Sequence, residues 1–497
     1  MSASLLIGID LGTSSLKTVV IDSDGRLLAR AAHEYPIDST RPGWAEQDPE
    51  SWLAATVATI RQALDLSGIP AAHIAGIGLS GQMHGTVCLD ESGQVLRPAI
   101  IWADQRSASQ VQQVYDLLGS RRLGELTANP LDTGFMLASW LWLRENEPPV
   151  ARATSHLLLP KDWLRFRLTG NLGTEPSDAS STLLFDTAAR SWSSGLLEPL
   201  GIDGDILPPI HQSAQVAGGL TAELAMATGL RQGTPVVFGG SDQSCQALGN
   251  GVIEPGVISC TIGTGGQLFA PTRQPAYDSE LRLHLFCHVL PEQWHQMAAI
   301  LSAGLSLRWL RDNVLTEMSY TQMADQAATV PAGAQGLFFL PHLAGERTPY
   351  MDPSARASFI GLTLSHDRSH MTRAVMEGVV FALKQGLELM AELGVPVRQI
   401  VASGGAVRHP LWLQLQADIF DRPITQTKTI EAAAVGAALL AGIGTGVYAD
   451  AHSAVEHTVR GGQQPVLPNP QRAARYAESY ETYVRLFPAL QETDVFG

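Results

Sequence analysis

An aspartate that directly follows two glycines is the clearest candidate for chemistry in this chain. The apolar run 235–238 ends in Gly239 and Gly240, and Ser241 and Asp242 then begin a segment of small residues with helical character. Serine and aspartate are common helix N-caps, because their side-chain oxygens accept hydrogen bonds from the first turn. Asp242 is therefore interpreted either as a cap or as a functional carboxylate. The glycines favour the second interpretation, since glycine allows a ligand to approach the backbone closely.

Two Gly-Thr turns, at residues 12–15 and 263–266, are candidates for binding phosphate. Consecutive backbone amides in a tight turn bind anions, and hydroxyl groups add further donors. Lys17 lies just after the first turn, whereas no cation is expected near the second. Hairpin turns have the same composition, but two such turns half a chain apart favour a nucleotide held between repeated halves. Asp10, before the first turn, is either a turn residue or a carboxylate near phosphate-bound Mg²⁺.

The segment GIGLSG (76–81) matches the dinucleotide-binding pattern G-x-G-x-x-G, with Asp104 at about the distance expected for a ribose-binding acid. That pattern requires a helix that begins at the glycines. Here a strand-like segment follows, so a dinucleotide site is not favoured. The P-loop pattern G-x-x-x-x-G-K-[ST] is absent from the sequence.

The elements around these residues predict an α/β protein. Strands are expected at 4–10, 16–22 and 100–104, and helices at 50–67 and 371–394. A further helix is expected after residue 470, packed on either half or on a partner. A chain of 497 residues is too long for one core, and we place two domains at 1–250 and 251–497.

Composition excludes several classes of partner. The net charge of −15 argues against a nucleic acid or a basic membrane-binding surface. The first residues lack the features of a signal peptide, and no apolar run is long enough to span a bilayer. The four cysteines show no metal-ligand spacing, which indicates reduced thiols. A cytoplasmic protein without a membrane partner is expected.

Several longer strings resemble the FGGY family of carbohydrate kinases. The matching segments are IGIDLGTSSLK (7–17), GGSDQ (239–243), TIGTGG (261–266), SGGA (403–406) and EAAAVGAA (431–438). The resemblance implies a duplicated, actin-like (ribonuclease H-like) fold with an interdomain cleft, and it implies ATP and Mg²⁺ as cofactors. Further strings resemble the members that phosphorylate xylulose: GWAEQDPESW (43–52), SGQMHG (80–85), RPAIIWADQR (97–106), FCHVLPEQWHQM (286–297) and LPHLAGERTP (340–349). D-xylulose 5-phosphate is the implied product, and a homodimer is common among such relatives.

The resemblance also implies a role for each matching residue. Asp242 corresponds to the catalytic base, and Asp10 to the residue near Mg²⁺. The sugar-pocket positions are Met83, His84, Trp102, Asp104, Arg106, Asp178 and Gln243. The phosphate-binding positions are Thr13, Ser14, Lys17, Gly263 and Thr264, and the adenosine-binding positions are Gly404, Gly405 and Arg408. The dipole of the helix that follows Asp242 is expected to keep its carboxylate ionised at pH 7.

Two departures leave the substrate open. Gln243 stands where an asparagine is usual, and Ser139 stands where the family has a lysine. The alternatives are a sister kinase for ribulose, a deoxy-ketose, gluconate or glycerol, a degenerate kinase, and a non-enzymatic ATP switch. Glycerol is disfavoured, because Met83 and His84 replace the Arg-Glu pair of glycerol kinases.

Overall fold

Two β-sheets that share the order of five strands form the framework of the protein. The computed structural model describes residues 4–427, 429–459 and 464–493. The first sheet contains, in spatial order, Val216–Gly219, Pro235–Val237, Ile74–Gly81, Leu5–Leu11, Ser15–Ile21 and Leu27–Glu34, and Gly240–Ser241 also pairs with Ile74–Gly81. The second sheet contains His284–Cys287, Trp294–Ile300, Gly266–Thr272, Val257–Ile262, Gln399–Gly404 and Ile424–Gln426.

Each sheet is built around one strand that ends in a Gly-Thr turn. Leu5–Leu11 pairs antiparallel with Ser15–Ile21 after its turn, and parallel with Ile74–Gly81 on its other side. Val257–Ile262 pairs in the same way, antiparallel with Gly266–Thr272 and parallel with Gln399–Gly404. The two turns therefore occupy equivalent positions in two copies of one topology. This arrangement confirms the predicted duplicated α/β fold.

Sixteen helices of the described residues cover and connect the sheets. Their bounds are Pro49–Ser67, Ala108–Thr127, Met136–Asn146, Pro148–Ala153, Pro160–Thr169, Pro176–Ala179, Ser194–Leu197, Ala222–Thr228, Asp242–Gly249, Gly304–Asn313, Tyr320–Ala328, Arg368–Glu392, Pro410–Phe420, Ala432–Gly444, Ala451–Thr458 and Pro470–Glu492. The remaining strands form two-stranded ribbons: Glu46–Gln47 with Ala99–Ile100, Val87–Leu89 with His156–Leu158, Phe185–Asp186 with Ser191–Trp192, and Phe338–Leu340 with Ser358–Ile360.

Most of the predicted elements are present, and their ends have local causes. Helix Pro49–Ser67 begins after Asp48, whose side chain accepts from the amide of Glu50, and it stops at Gly68 in the left-handed conformation. The strand predicted at 100–104 is only Ala99–Ile100, because the chain turns when the Asp104 amide donates to the Ile101 carbonyl. GIGLSG lies inside strand Ile74–Gly81 and begins no helix, as expected.

Helix Ala432–Gly444, which we call the small-residue helix, packs unusually closely on the first sheet. A Cβ atom added at Gly8 or at Gly78 would lie 1.8 Å from a carbonyl oxygen of this helix. On another side, a Cβ at Gly436 would lie 1.9 Å from the carbonyl oxygen of Cys245 in helix Asp242–Gly249. The small-residue helix therefore fixes the helix that begins with Asp242 relative to the first sheet, by direct contact between backbones.

The C-terminal helix Pro470–Glu492 packs in the core of the second half, which answers the question left open by the sequence. Tyr476 and Tyr483 are fully buried there. The Tyr476 hydroxyl donates to the Glu377 carboxylate at 2.6 Å, and the Arg373 guanidinium donates to the same hydroxyl. All four cysteines are buried and unpaired, and none of the described helices has the length and apolar character needed to cross a membrane.

Gly436→Ala tests the close packing of the small-residue helix. Alanine normally stabilises a helix interior by about 0.5–1 kcal/mol over glycine. Here the methyl group would overlap the Cys245 carbonyl, so we expect the free energy of unfolding to fall by about 1–3 kcal/mol, as measured by urea denaturation. Gly204→Ala is the control, since its methyl group would meet only the Leu197 side chain at 3.6 Å. Equal stability of the two variants would contradict this interpretation.

Candidate functional site

Asp242 is the first residue of helix Asp242–Gly249 and lies half-buried between the two halves of the protein. The prediction that it caps the helix is wrong, because Ser241 occupies the N-cap position. The Asp242 carboxylate accepts a hydrogen bond, at 2.7 Å, from the backbone amide of Gln243. Further along the helix, the Gln246 side chain donates to Thr261 at 3.0 Å. The helix thus connects Asp242 to the strand that leads into the second Gly-Thr turn.

A second carboxylate lies close to Asp242. Asp10 is the next-to-last residue of strand Leu5–Leu11 and lies opposite Ser80, whose hydroxyl donates to it at 3.0 Å. Burial, and then the charge of Asp10, raise the pKa of the Asp242 carboxyl to about 7. Burial also raises the pKa of Asp10, although Lys17 and the Ser80 hydrogen bond act against it. The expectation that a helix dipole keeps Asp242 at an ordinary pKa is therefore wrong, since desolvation and like charge outweigh the dipole.

The first Gly-Thr turn is held by side chains from outside its hairpin. The Trp102 indole donates to the Thr13 hydroxyl at 2.8 Å, and the Gln47 amide donates to the Thr13 carbonyl at 2.7 Å. Ser14 is exposed at the tip. Lys17 pairs with Glu431 at 2.8 Å, directly before the small-residue helix. Lys17 therefore lies beside the turn, as predicted, but a ligand that binds it would compete with Glu431.

The second Gly-Thr turn is exposed and has a cation beside it. The Arg308 guanidinium donates to the Thr264 hydroxyl at 3.2 Å, so the expectation of no cation near this turn is wrong. Gly404 pairs with Ile262, the residue before Gly263, and is also exposed. Sequence spacing could not have found Arg308, because it approaches from helix Gly304–Asn313, whose first two amides donate to the carbonyls of Gly263 and Thr264.

Gly404 and Gly405 thus extend the exposed surface of the second turn, and Arg408 is exposed at the end of the short helix that follows them. A side chain at Gly404 would not fit, because its φ is +84° and a Cβ would lie 2.5 Å from the Ile262 carbonyl oxygen. The predicted adenosine-binding residues and the second turn therefore share one surface of the second half.

His84 is packed between aromatic rings, with one ring nitrogen engaged. Its Nδ1 donates to the Ser181 carbonyl at 2.8 Å, and its ring centroid lies 4.0 Å from that of Phe135 and 6.0 Å from that of Phe286. Burial lowers the pKa of His84 to about 4, so the imidazole is neutral at pH 7 and its Nε2 can accept a hydrogen bond. Met83, beside it, is buried in a cluster with Phe286 and Met297.

The charged groups of Asp104 and Arg106 form an ion pair with each other and are not open to the site. Two nitrogens of the Arg106 guanidinium donate to the Asp104 carboxylate at 2.7–2.9 Å, and the Arg106 side chain also contacts Glu46 at 2.6 Å. The guanidinium lies 3.4 Å above the Trp44 ring, and Asp104 is only 1% exposed. In this structure neither charged group is available to a ligand. Of the three sugar-pocket residues predicted here, only Trp102 is exposed, with 43% of its surface accessible.

Asp178 belongs to a fully buried group of charges that also contains Lys161, Asp162 and Glu175. The Lys161 ammonium lies 2.6 Å from Asp162, 3.6 Å from Asp178 and 3.7 Å from Glu175. Burial alone would lower the pKa of Lys161, but the three carboxylates raise it above its usual value. The Asp178 oxygens accept no hydrogen bond, and burial raises the pKa of this carboxyl well above its usual range. Lys161 is one of only four lysines in the sequence, and no local pattern predicted its place among these carboxylates.

The two departures from the family pattern lie in different environments. Gln243 is half-buried beside Asp242 in the first turn of its helix. Ser139 is 1% exposed inside helix Met136–Asn146, and its hydroxyl has no hydrogen-bond partner. A change at Gln243 can therefore act near the reacting groups, whereas Ser139 belongs to the packing of the first half.

Taken together, these groups form a site with two distinct kinds of chemistry. Asp242, Asp10 and the neutral His84 offer hydrogen-bond acceptors, and Asp242 can accept a proton near neutral pH. The two turns present backbone amides and hydroxyls to an anion, each with a cation, Lys17 or Arg308, beside it.

Comparisons with known proteins agree with this arrangement. The model of the FGGY family of carbohydrate kinases, N-terminal domain, matches residues 5–249, and that of the C-terminal domain matches residues 258–445. The chain is 37% identical to a xylulose kinase of Bacillus subtilis over 482 residues, which are 97% of this chain and 96% of the relative.

Two solved structures from Lactobacillus acidophilus have the same overall fold. A ligand-bound xylulose kinase superposes with a TM-score of 0.93 at 28% identity, covering 98% of this chain and 98% of the other. A gluconate kinase superposes with a TM-score of 0.93 at 29% identity, with the same coverage of both chains. The fold is thus common to kinases of different sugars. The N-terminal family model covers the first turn, His84 and Asp242, and the C-terminal model covers the second turn. This chain belongs to the FGGY family of carbohydrate kinases.

Proposed function

We propose that the protein transfers the γ-phosphoryl group of ATP to the 5-hydroxyl of D-xylulose, with Asp242 as the general base. The observation that carries this proposal is the half-buried Asp242 carboxyl, whose pKa of about 7 suits proton transfer at neutral pH. The sugar oxygen bonds to the γ-phosphorus, the bond from that phosphorus to the oxygen retained by ADP breaks, and the hydroxyl proton passes to Asp242. Phosphoryl transfer needs mainly alignment and charge stabilisation, which a preformed site supplies.

The nucleotide contacts of this proposal come from both halves. The amides at residues 12–15, with Thr13, Ser14 and Lys17, would hold phosphate oxygens on one side. Gly263 and Thr264, supported by Arg308, would hold them on the other, since Arg308 already donates to Thr264. Gly404, Gly405 and Arg408 would contact the adenosine, because they continue the surface of the second turn.

Asp10 is the residue that would hold Mg²⁺ together with the phosphates. No group of three His, Cys, Asp or Glu side chains in the described ranges is arranged to bind a metal. Mg²⁺ in phosphoryl-transfer sites is, however, commonly bound by one or two carboxylates, water and substrate phosphates. The charge of Asp10 raises the pKa of Asp242, so a cation near these carboxylates would offset their repulsion. When bound, the ion would neutralise phosphate charge.

The sugar would lie between Asp242 and His84. A neutral His84 with its Nδ1 fixed on Ser181 presents Nε2 as an acceptor for a sugar hydroxyl. The aromatic ring of Trp102 is exposed next to Thr13 and supplies an apolar face near the same turn. D-xylulose is favoured over gluconate because the xylulose kinase of Bacillus subtilis is 37% identical to this chain, whereas the gluconokinase of the same organism is 30% identical.

A coupled assay of ADP release tests the substrate directly. With Mg·ATP, we expect D-xylulose to give the highest kcat/KM in a panel that also holds L-xylulose, D- and L-ribulose, glycerol, gluconate and a blank without sugar. Weak ATP hydrolysis is expected in the blank, because water can occupy the position of the sugar hydroxyl. A higher kcat/KM with gluconate would keep the chemistry and change the substrate, and no stimulation by any sugar would overturn the proposal.

Asp242→Asn tests the general base. The amide has nearly the same shape but accepts no proton, so we expect kcat to fall by about 10²–10⁴-fold with the Kd for ATP within a factor of about three. Asp48→Asn is the control, because Asp48 also lies at a helix start but is exposed and only caps helix Pro49–Ser67. A kcat for Asp242→Asn within tenfold of the wild type would contradict the assignment.

The pH dependence of kcat/KM for the sugar provides an independent check. The base must be ionised in the free enzyme, and the pKa of Asp242 is about 7. We therefore expect kcat/KM to rise tenfold per pH unit below pH 7 and to level off above it. A profile that is flat between pH 5 and 7 would show that no group of this pKa has to lose a proton.

His84→Ala tests the sugar contact. Loss of one hydrogen bond of about 1.4 kcal/mol should raise the KM for the sugar about tenfold, with the KM for ATP little changed. His73→Ala is the matched control, because His73 is exposed in the short helix Ala71–His73, outside both Gly-Thr turns. An unchanged sugar KM in His84→Ala would remove His84 from the sugar site.

A further inference from the structure

A series of buried hydrogen bonds connects Ser241, the N-cap residue of helix Asp242–Gly249, to the carboxylate of Glu175. The backbone amide of Ser241 donates to the Ser177 hydroxyl at 3.0 Å, and that hydroxyl donates to the Glu175 carboxylate at 2.9 Å. Glu175 also accepts from the amides of Ser177 and Asp178 at 2.8 and 3.0 Å. Ser177 and Glu175 are both fully buried, so these hydrogen bonds are shielded from water.

The same carboxylate is fixed from its other sides. The Ser213 hydroxyl donates to Glu175 at 2.8 Å, and the Lys161 ammonium lies 3.7 Å away. Lys161 in turn donates to the carbonyl of Phe238 at 3.3 Å, three residues before Ser241. Both ends of the glycine-containing segment between Phe238 and Ser241 are thus held by one buried network.

Gly240–Ser241 pairs with strand Ile74–Gly81 through the backbone, but the segment's own side chains add no further support. Gly239 and Gly240 have no side chains, and the Ser241 hydroxyl makes no hydrogen bond to its helix or to any other described group. The Ser241 amide is therefore the point at which the helix start is held by a side chain. A displacement of about 1 Å between reacting groups can cost 10²-fold in rate, so this contact bears directly on the position of Asp242.

We propose that Ser177 and Glu175 are positioning residues for the reaction: through the Ser241 amide they set the place of the Asp242 carboxylate relative to the sugar hydroxyl. This inference rests on the proposed function, because it assigns a task to the residues below the proposed base. Neither residue touches the substrate. Their loss should therefore lower kcat while leaving the affinities for sugar and ATP nearly unchanged.

Ser177→Ala is the first test, and Ser180→Ala is its matched control. Ser180 is a fully buried serine three residues further along, and its hydroxyl accepts the amide of Cys287 at 3.1 Å, a contact of the same kind away from Asp242. Each variant loses two buried hydrogen bonds, since the Ser180 hydroxyl also donates to the Ser177 carbonyl at 3.2 Å. The two variants should therefore melt at similar temperatures. We expect kcat to fall 10–100-fold in Ser177→Ala and less than threefold in Ser180→Ala, with both KM values of Ser177→Ala within threefold of the wild type.

Ser177→Cys keeps the test usable if the alanine variant does not fold. A thiol is a nearly isosteric but weak donor and acceptor, so its kcat should lie between those of the wild type and Ser177→Ala. Equal kcat values for Ser177→Cys and the wild type, or equal losses in Ser177→Ala and Ser180→Ala, would overturn the proposal.

A double-mutant cycle with Asp242→Asn separates positioning from general damage. Because Ser177 acts through Asp242, Ser177→Ala should change the residual kcat of Asp242→Asn by less than threefold. Additive losses would mean that Ser177 acts elsewhere and would overturn the inference. Wild-type kcat in Asp242→Asn would contradict the proposed function itself. A reduced kcat in Asp242→Asn together with wild-type kcat in the Ser177 variants would contradict only the positioning role.

Discussion

The position of Asp242, the proposed base, depends on close backbone contacts between the small-residue helix Ala432–Gly444 and its neighbours. Carbonyl oxygens of this helix lie where side chains at Gly8 and Gly78 would otherwise be, and Gly436 meets the carbonyl of Cys245. Any larger residue at these contacts would move the helix that begins with Asp242 away from the first sheet. A segment from the far end of the sequence thus joins the first strand, which carries Asp10, to the helix that begins with Asp242. The proposed reaction centre is therefore assembled by packing of glycine and alanine rather than by pairing of charges.

Burial then gives these carboxylates their chemical character. Burial, and after it the charge of Asp10, raise the pKa of Asp242 to about 7. A charged Asp242 is costly to the empty protein, since an acid whose pKa is raised on folding lowers stability as pH rises from about 4 to about 7. A polyphosphate with its cation would relieve the repulsion. The same arrangement that raises the energy of the ionised carboxylate would let Asp242 act as the proposed base near neutral pH.

The fold alone does not decide the sugar. Structures of a xylulose kinase and of a gluconate kinase superpose on this chain equally well, each with a TM-score of 0.93. Specificity must therefore come from side chains that line the site. In the proposed site, His84, neutral and fixed on Ser181, would be one such group, and Gln243 beside Asp242 would be another. Ser139, the other departure from the family pattern, is buried in a helix of the first half and contributes to packing.

Features that depend on near neighbours in the chain were predictable from the sequence. The strands at 4–10 and 16–22, the two glycine-containing turns and the helices at 50–67 and 371–394 were all predicted and are present within a few residues. Contacts between distant segments were not predictable, and the tertiary structure supplied them. It placed Arg308 on the second turn, paired Asp104 with Arg106, buried Lys161 among three carboxylates and raised the pKa of Asp242. Desolvation and charge pairing depend on what surrounds a group in space, and local sequence carries no measure of that environment.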